Sequence, residues 1–176
     1  MEQVAYDRYP PWVVVLSNVL SISIWIIGAY ILSGFGLLWS ALYLAYCIWL
    51  EFRLLRHTCV DCWYHGRQCA FGKGRLCGLL FEKGDPAVFA DRQIGWKDLV
   101  PDLMVFLIPF VGGIVLVVQR FSVSLALLLG ALLILSFRGN ALIRGKLAYA
   151  HCRQREMGCP AALLFFGKAA REGPRP

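Results

Sequence analysis

The chain has 176 residues, of which 59% are hydrophobic and 16% charged, and its formal net charge is +7. This composition argues against a soluble domain and favours an integral membrane protein. The charge needs no nucleic acid to explain it, because basic flanks of this kind bind anionic lipid headgroups.

Four apolar stretches predict an all-α membrane protein with four spanning helices. They cover about 12–32, 36–50, 99–118 and 121–137. A spanning helix needs roughly 20 apolar residues, so the fourth is at the lower limit and the second is long enough only with 52–55. The first lacks the basic flank of a cleaved signal peptide, and we expect it to be retained.

The connections predict two tandem helical hairpins. The links at 33–36 and 119–120 are very short, whereas the loop at 51–98 is long, so the loop and both termini fall on one side. Of the 18 Lys and Arg residues, 16 lie in that loop or after residue 137. The positive-inside rule therefore predicts an inner-membrane, multi-pass protein whose termini and loop are cytoplasmic.

Six of the seven cysteines lie outside the apolar stretches, and all three histidines accompany them. Because the cytoplasm is reducing, such a cluster favours metal binding or thiol redox chemistry over disulfides. The candidate ligands are Cys59, Cys62, Cys69, Cys77, Cys152, Cys159, His57, His65 and His151. Cys47, inside the second stretch, fits a buried apolar role.

The spacing of these cysteines suits a four-ligand centre but leaves its identity open. A C-x-x-C turn at Cys59 and Cys62 lets two sulfurs reach one metal, and zinc takes four such ligands. Iron–sulfur clusters also take four thiolates, and Cys159-Pro160 resembles the ending of one bacterial cluster motif. The site either closes within the loop or combines loop and tail cysteines. We favour the second arrangement because each half of the chain carries thiols.

The chain also shows the pattern of an internal repeat, with halves at 1–98 and 99–176. A shift of 90 residues superposes Cys62 and Cys69 on Cys152 and Cys159, and an apolar patch follows the cysteines in each half, at 79–81 and 163–166. This pattern predicts a parallel repeat about an axis along the membrane normal, which would bring the two cysteine segments together.

Three functional hypotheses follow. In the first, a non-enzymatic metal module ties loop and tail together and forms a docking surface for a partner subunit or a homo-oligomer. In the second, an iron–sulfur centre or a dithiol exchanges electrons with a membrane quinone. The third is transport or sensing of a thiophilic metal, with Cys47, Glu51 and Asp102 near its path. The first is favoured, since no nucleophile–base pair or nucleotide fingerprint appears.

Overall fold

The structure is a computed structural model that describes residues 5–91, 95–157, 159, 162 and 166. Over these residues the regular secondary structure is helical, apart from one parallel bridge between Tyr6 and Cys152. The α-helices are α1 (Pro11–Ser33), α2 (Leu37–Leu54), α3 (Lys73–Leu80), α4 (Pro86–Asp91), α5 (Trp96–Gln119), α6 (Val123–Ile134) and α7 (Arg153–Glu156). Helical π turns extend α2 over Leu55–Cys59 and α6 over Leu135–Gly139 and Ala141–Ala148, and a 3-10 turn follows at Tyr149–His151.

Four helices are long and apolar enough to cross a membrane, as the sequence predicts. They are Pro11–Ser33, Leu37–Cys59, Trp96–Gln119 and Val123–His151. In the most apolar 18-residue stretch of each helix, only 11% to 28% is buried inside the protein. Most of their apolar surface therefore faces outward, where a bilayer would cover it, as in a multi-pass membrane protein.

Two of these helices run further than the apolar stretches. The second continues to Cys59, and so includes the 52–55 segment that it needs to span. The fourth continues to His151, whereas its apolar stretch ends at residue 137. The π turns keep the backbone hydrogen-bonded past the apolar residues, and arginine can extend its head to the membrane surface. Arg138, Arg144 and Lys146 are thus helical residues rather than parts of a free tail.

The chain divides into two compact units, one of which comprises Val19–Glu51 and Gly95–Asn140. Its core includes Leu32, Tyr43 and Cys47, packed against Val105. Helices α1, α5 and α6 approach closely at Gly113. A Cβ atom added there would lie 2.5 Å from the Leu129 side chain and 3.1 Å from that of Ile31. Small residues permit such close packing in membrane helices.

The turn between α1 and α2 depends on a glycine. Gly36 has φ +118°, a conformation that side chains with a Cβ atom rarely adopt. Three backbone hydrogen bonds of 2.9–3.1 Å, from the N–H groups of Gly34, Phe35 and Gly36, close this turn. The short hairpin expected from the sequence forms for this reason.

Candidate metal–thiolate site

The second compact unit collects the candidate ligands from three parts of the chain. It comprises Met1–Asn18, Phe52–Ile94 and Ala141–Pro176. These segments contain six of the seven cysteines and all three histidines. The loop and the tail, which carry the two sets of thiols, therefore fold together with the N-terminal segment.

The N-terminal segment ties the loop to the tail through its backbone. The N–H of Tyr6 donates to the carbonyl of His151 in the tail, at 3.0 Å. The N–H of Tyr9 donates to the carbonyl of Gln68 in the loop at 3.1 Å, and the Gln68 amide donates back to the Tyr9 carbonyl at 3.1 Å. The Tyr9 hydroxyl donates to the carbonyl of Ala148. The N-terminal segment thus holds the loop and the tail together by hydrogen bonds to both.

Two buried tyrosines form the centre of this unit. Tyr9 and Tyr64 are each 2% exposed and pack in one cluster, with Cys62, Cys69 and Cys152 against it. The Tyr64 hydroxyl donates to the Tyr6 carbonyl and accepts a 3.1 Å hydrogen bond from the N–H of Arg153. Burial, the largest effect, raises the pKa of both tyrosines above their usual value. Both phenols therefore remain neutral hydrogen-bond donors at physiological pH.

The loop folds tightly around its cysteines because glycine permits close backbone approach. A Cβ atom added at Gly74 would lie 2.2 Å from the carbonyl oxygen of Tyr64 and 2.5 Å from that of Arg67. The same close approach lets the Gly74 N–H donate to the Cys69 Sγ at 3.3 Å. A backbone N–H that points at a sulfur stabilises the thiolate form, which is the form that binds metals.

Thiols from loop and tail lie close enough to affect each other electrostatically. The pKa of the Cys62 thiol is raised to about 12, mainly by burial; the Tyr64 N–H lowers it in part, and the neighbouring thiols Cys59, Cys69 and Cys159 add to the rise. Burial also raises the pKa of Cys152, followed by the effects of Cys159 and Cys62. Cys62, Cys69, Cys152 and Cys159 are called here the four-thiol cluster, although no three of these described side chains converge on one position.

The two other cysteines near the loop occupy different surroundings. The Cys77 thiol is fully buried and donates to the carbonyl of Leu55 at 3.5 Å, where the second spanning helix enters its π turn. Burial, then Asp61 and Cys69, raise the pKa of this thiol. Cys59 ends the same helix and is half-buried. None of the seven cysteines, all within the described residues, is in a disulfide.

Each of the three histidines has its own surroundings. The His65 Nε2 atom is 3.1 Å from the carbonyl oxygen of Phe81. The His151 ring packs against the ring of Tyr6, with centroids 4.8 Å apart, and His57 lies in the π turn before Cys59. Within the described ranges, no three His, Cys, Asp or Glu side chains converge on a position that would hold a metal ion.

Several residues of this site carry no signal in the sequence. Besides Tyr9 and Tyr64, they include Trp63, whose ring lies 4.3 Å from the Arg67 guanidinium and 5.4 Å from that of Arg153. An arginine from the loop and an arginine from the tail thus both lie against the Trp63 ring in cation–π contacts. An isolated tryptophan or tyrosine beside a membrane helix is typical of an interface residue, so only the folded contacts show these roles.

The apolar patch at the end of α3 is exposed, with Leu79 84% and Leu80 57% accessible. Most of the second patch, 163–165, lies outside the described residues.

No family model matches the chain, and no curated protein and no solved structure matches it significantly.

Proposed function

We propose that this protein is a membrane-anchored metal–thiolate module, in which a metal centre bound by loop and tail cysteines organises a docking surface for a partner subunit. The observation that carries this proposal is the four-thiol cluster, with Cys62 and Cys69 from the loop and Cys152 and Cys159 from the tail. The donor set suits zinc or an iron–sulfur cluster, since both take four thiolates.

The ligand set proposed here is the four-thiol cluster rather than all nine candidates. Cys77 already donates to a backbone carbonyl, and His151 packs on Tyr6. Cys59 neighbours Cys62 and is the alternative fourth ligand. Because the described side chains do not converge on one ion position, metal binding requires side-chain rotation in the cluster. Metal sites commonly form together with their metal in this way.

Thiol redox chemistry is the less favoured alternative. Reactive cysteines have a lowered pKa and partial exposure, because the thiolate is the nucleophile. Here burial raises the pKa of Cys62 and Cys152 instead. A bound metal cation would offset that burial cost and displace the thiol protons. The backbone N–H groups near three of the sulfurs support this anionic, metal-bound form.

The charge distribution supports a cytoplasmic location for the site. The unit that contains the cluster also contains most of the basic residues, and basic residues favour the cytoplasmic side of an inner membrane. The exposed leucines of α3 lie on the same short helix as Lys73 and Arg75, which suits contact with anionic headgroups. The two-fold parallel repeat belongs to this proposal and explains why both halves contribute a pair of thiols.

Elemental analysis of protein purified without oxygen in mild detergent tests the proposal. We expect about one metal centre per chain, and strong loss of metal in Cys62→Ser and Cys152→Ser. Cys47→Ser is the matched control, because this buried thiol belongs to the other compact unit and should leave the metal content unchanged. The proposal requires that wild-type protein contain bound metal, so wild-type protein purified without metal would refute it. Full metal in Cys152→Ser would refute a site shared by loop and tail.

A further inference from the structure

Helix α3 presents an apolar face to the outside of the protein. Leu76, Leu79 and Leu80 share one side of this helix, because residues three and four apart lie on the same helical face. Their side chains are 47%, 84% and 57% exposed. Single exposed leucines are ordinary, but three within five residues of a short helix form a contiguous apolar patch. Such a patch marks an interaction surface.

The opposite face of α3 is fixed against the loop. Cys77 is fully buried, and its thiol donates to the carbonyl of Leu55 at 3.5 Å. A Cβ atom added at Gly78 would lie 2.6 Å from the Cα atom of Gly66, and Gly74 approaches the loop backbone just as closely. Rotation of α3 about its axis would break these contacts. The leucines therefore cannot turn inward, and their exposure is a fixed feature of the fold.

The apolar patch continues onto the end of the second spanning helix. The last turns of that helix, 52–59, belong to the same compact unit as α3. The Phe52 ring is itself 49% exposed and contacts the ring of Phe81, directly after α3, with centroids 5.7 Å apart. Arg53 and Arg56 follow on the same helix end, as basic residues do where a helix leaves the bilayer. Helix α3 thus adjoins the level of the membrane surface.

Basic residues border the apolar face of α3. At about 100° per residue, Lys73 lies beside Leu80 on one edge of this face, and Arg75 lies beside Leu79 on the other. Helices that lie in a membrane interface have this arrangement, because their apolar side chains enter the acyl boundary while basic heads reach the anionic headgroups. A soluble partner would not explain why the face adjoins a spanning helix, so the bilayer is the occupant that fits.

We propose that α3 is an interfacial membrane helix, whose three leucines enter the boundary between headgroups and acyl chains beside the second spanning helix. This inference does not depend on the proposed metal centre, and it assigns the exposed patch to lipid rather than to the partner subunit. The N–H of Gly74 on α3 donates to the Cys69 Sγ at 3.3 Å. Insertion of α3 therefore also holds this thiol-bearing loop at the membrane surface.

Hydrophobic photolabelling tests the position of the patch. The full chain is reconstituted without other proteins in vesicles of phosphatidylglycerol and phosphatidylethanolamine, and is labelled with a lipid-soluble diazirine. Trypsin cleaves after Arg75 and Lys83, so one peptide, 76–83, carries all three leucines. We expect it to take up several times more label than the loop peptide 57–67, because only the leucines reach the acyl chains. Equal labelling of the two peptides would overturn the proposal.

Hydroxyl-radical oxidation of the same vesicles identifies what surrounds the leucines instead, if they are not in lipid. Leucines inserted in the bilayer should be protected from oxidation and also carry the lipid-soluble label. Strong oxidation with little label would place the face in water, open to a partner subunit. Protection with little label would indicate that a second copy of the chain covers it. Either of these two results would overturn the proposal.

The second test changes the face itself. The double variant Leu79→Gln, Leu80→Gln should fold, because both side chains point outward, but its polar face should leave the acyl boundary. We expect its photolabelling over 76–83 to fall to the level of the loop peptide. Leu79→Ile with Leu80→Ile is the matched control and should keep the wild-type labelling. Undiminished labelling in the glutamine variant would show that these leucines do not insert the helix.

Discussion

The Tyr43 hydroxyl donates to the carbonyl of Val105 on α5 at 2.9 Å. That carbonyl lacks its usual helical partner, because Pro109 stands four residues later and has no N–H. An unpaired carbonyl is costly in an apolar environment. A tyrosine on α2 therefore compensates for a proline on α5, and the proline is tolerated in a helix long enough to span the membrane.

We expect Tyr43→Phe to lower the free energy of unfolding in detergent by about 1 kcal/mol, because the Val105 carbonyl loses its donor. In a Pro109→Ala background the same change should cost less, since residue 109 then supplies a backbone N–H. Denaturant unfolding of the four proteins gives the coupling energy. Equal costs in both backgrounds would show that the hydroxyl does not serve this carbonyl.

The candidate site illustrates which residues the sequence can indicate. The cysteines were predictable as a group, because their number and spacing outside apolar segments are uncommon. Their partners were not. Tyr64, Trp63 and Gln154 are ordinary residues in the sequence, and they gain a role only from the contacts between loop and tail that the fold creates. The assignment of the ligands themselves stays a prediction until metal is measured.

At the scale of elements, the close approach of α1 and α2 depends on Gly28. A Cβ atom added there would lie 2.6 Å from the Tyr43 hydroxyl oxygen and 2.8 Å from the ring carbon that carries it. The ring cannot move aside without losing its bond to Val105. Gly130 on α6 offers a contrast, because a Cβ atom added there would meet no atom within 4 Å.

We therefore expect Gly28→Ala to destabilise the protein by about 1–3 kcal/mol through overpacking. Gly130→Ala should be neutral or stabilising by about 0.5–1 kcal/mol, since alanine is the better helix former. Thermal unfolding in detergent micelles compares the two. If Gly28→Ala proved as stable as Gly130→Ala, the packing of Tyr43 against α1 described above would be wrong.

The helix ends were the least predictable part of the elements. Apolar composition located all four spanning segments but placed the end of the fourth at residue 137. The helix continues to His151 because its π turns keep the backbone hydrogen-bonded through Arg138 and Arg144. Hydropathy reports on side chains and not on backbone hydrogen bonds. A prediction from hydropathy therefore ends too early where a helix continues beyond its apolar residues.

At the scale of the whole molecule, the pKa shifts predict how stability depends on pH. Burial raises the pKa of Cys62 from 9.0 to about 12, and it raises that of Cys152 as well. The folded, metal-free protein therefore holds these protons more tightly than the unfolded chain does. This contribution is fully present below pH 9.0 and is lost as the pH rises toward 12.

We expect the free energy of unfolding of chelator-treated protein to fall above about pH 9 by up to about 1.4 kcal/mol per pH unit for each of the two thiols. Denaturant unfolding in detergent between about pH 7 and pH 11 measures this slope. The double variant Cys62→Ala, Cys152→Ala should show a shallower slope. An equally steep slope in that variant would assign the pH dependence to other groups, such as the buried tyrosines.

The sequence by itself determined that the chain has four apolar helices, roughly where they lie, and that six of the seven thiols fall outside their apolar parts. Length and hydropathy are local properties, and each segment expresses them without its neighbours. Only the tertiary structure decided which thiols pack against the buried tyrosines. Those contacts join residues as far apart as Tyr9 and Ala148, and they arise when packing buries side chains that no local pattern relates.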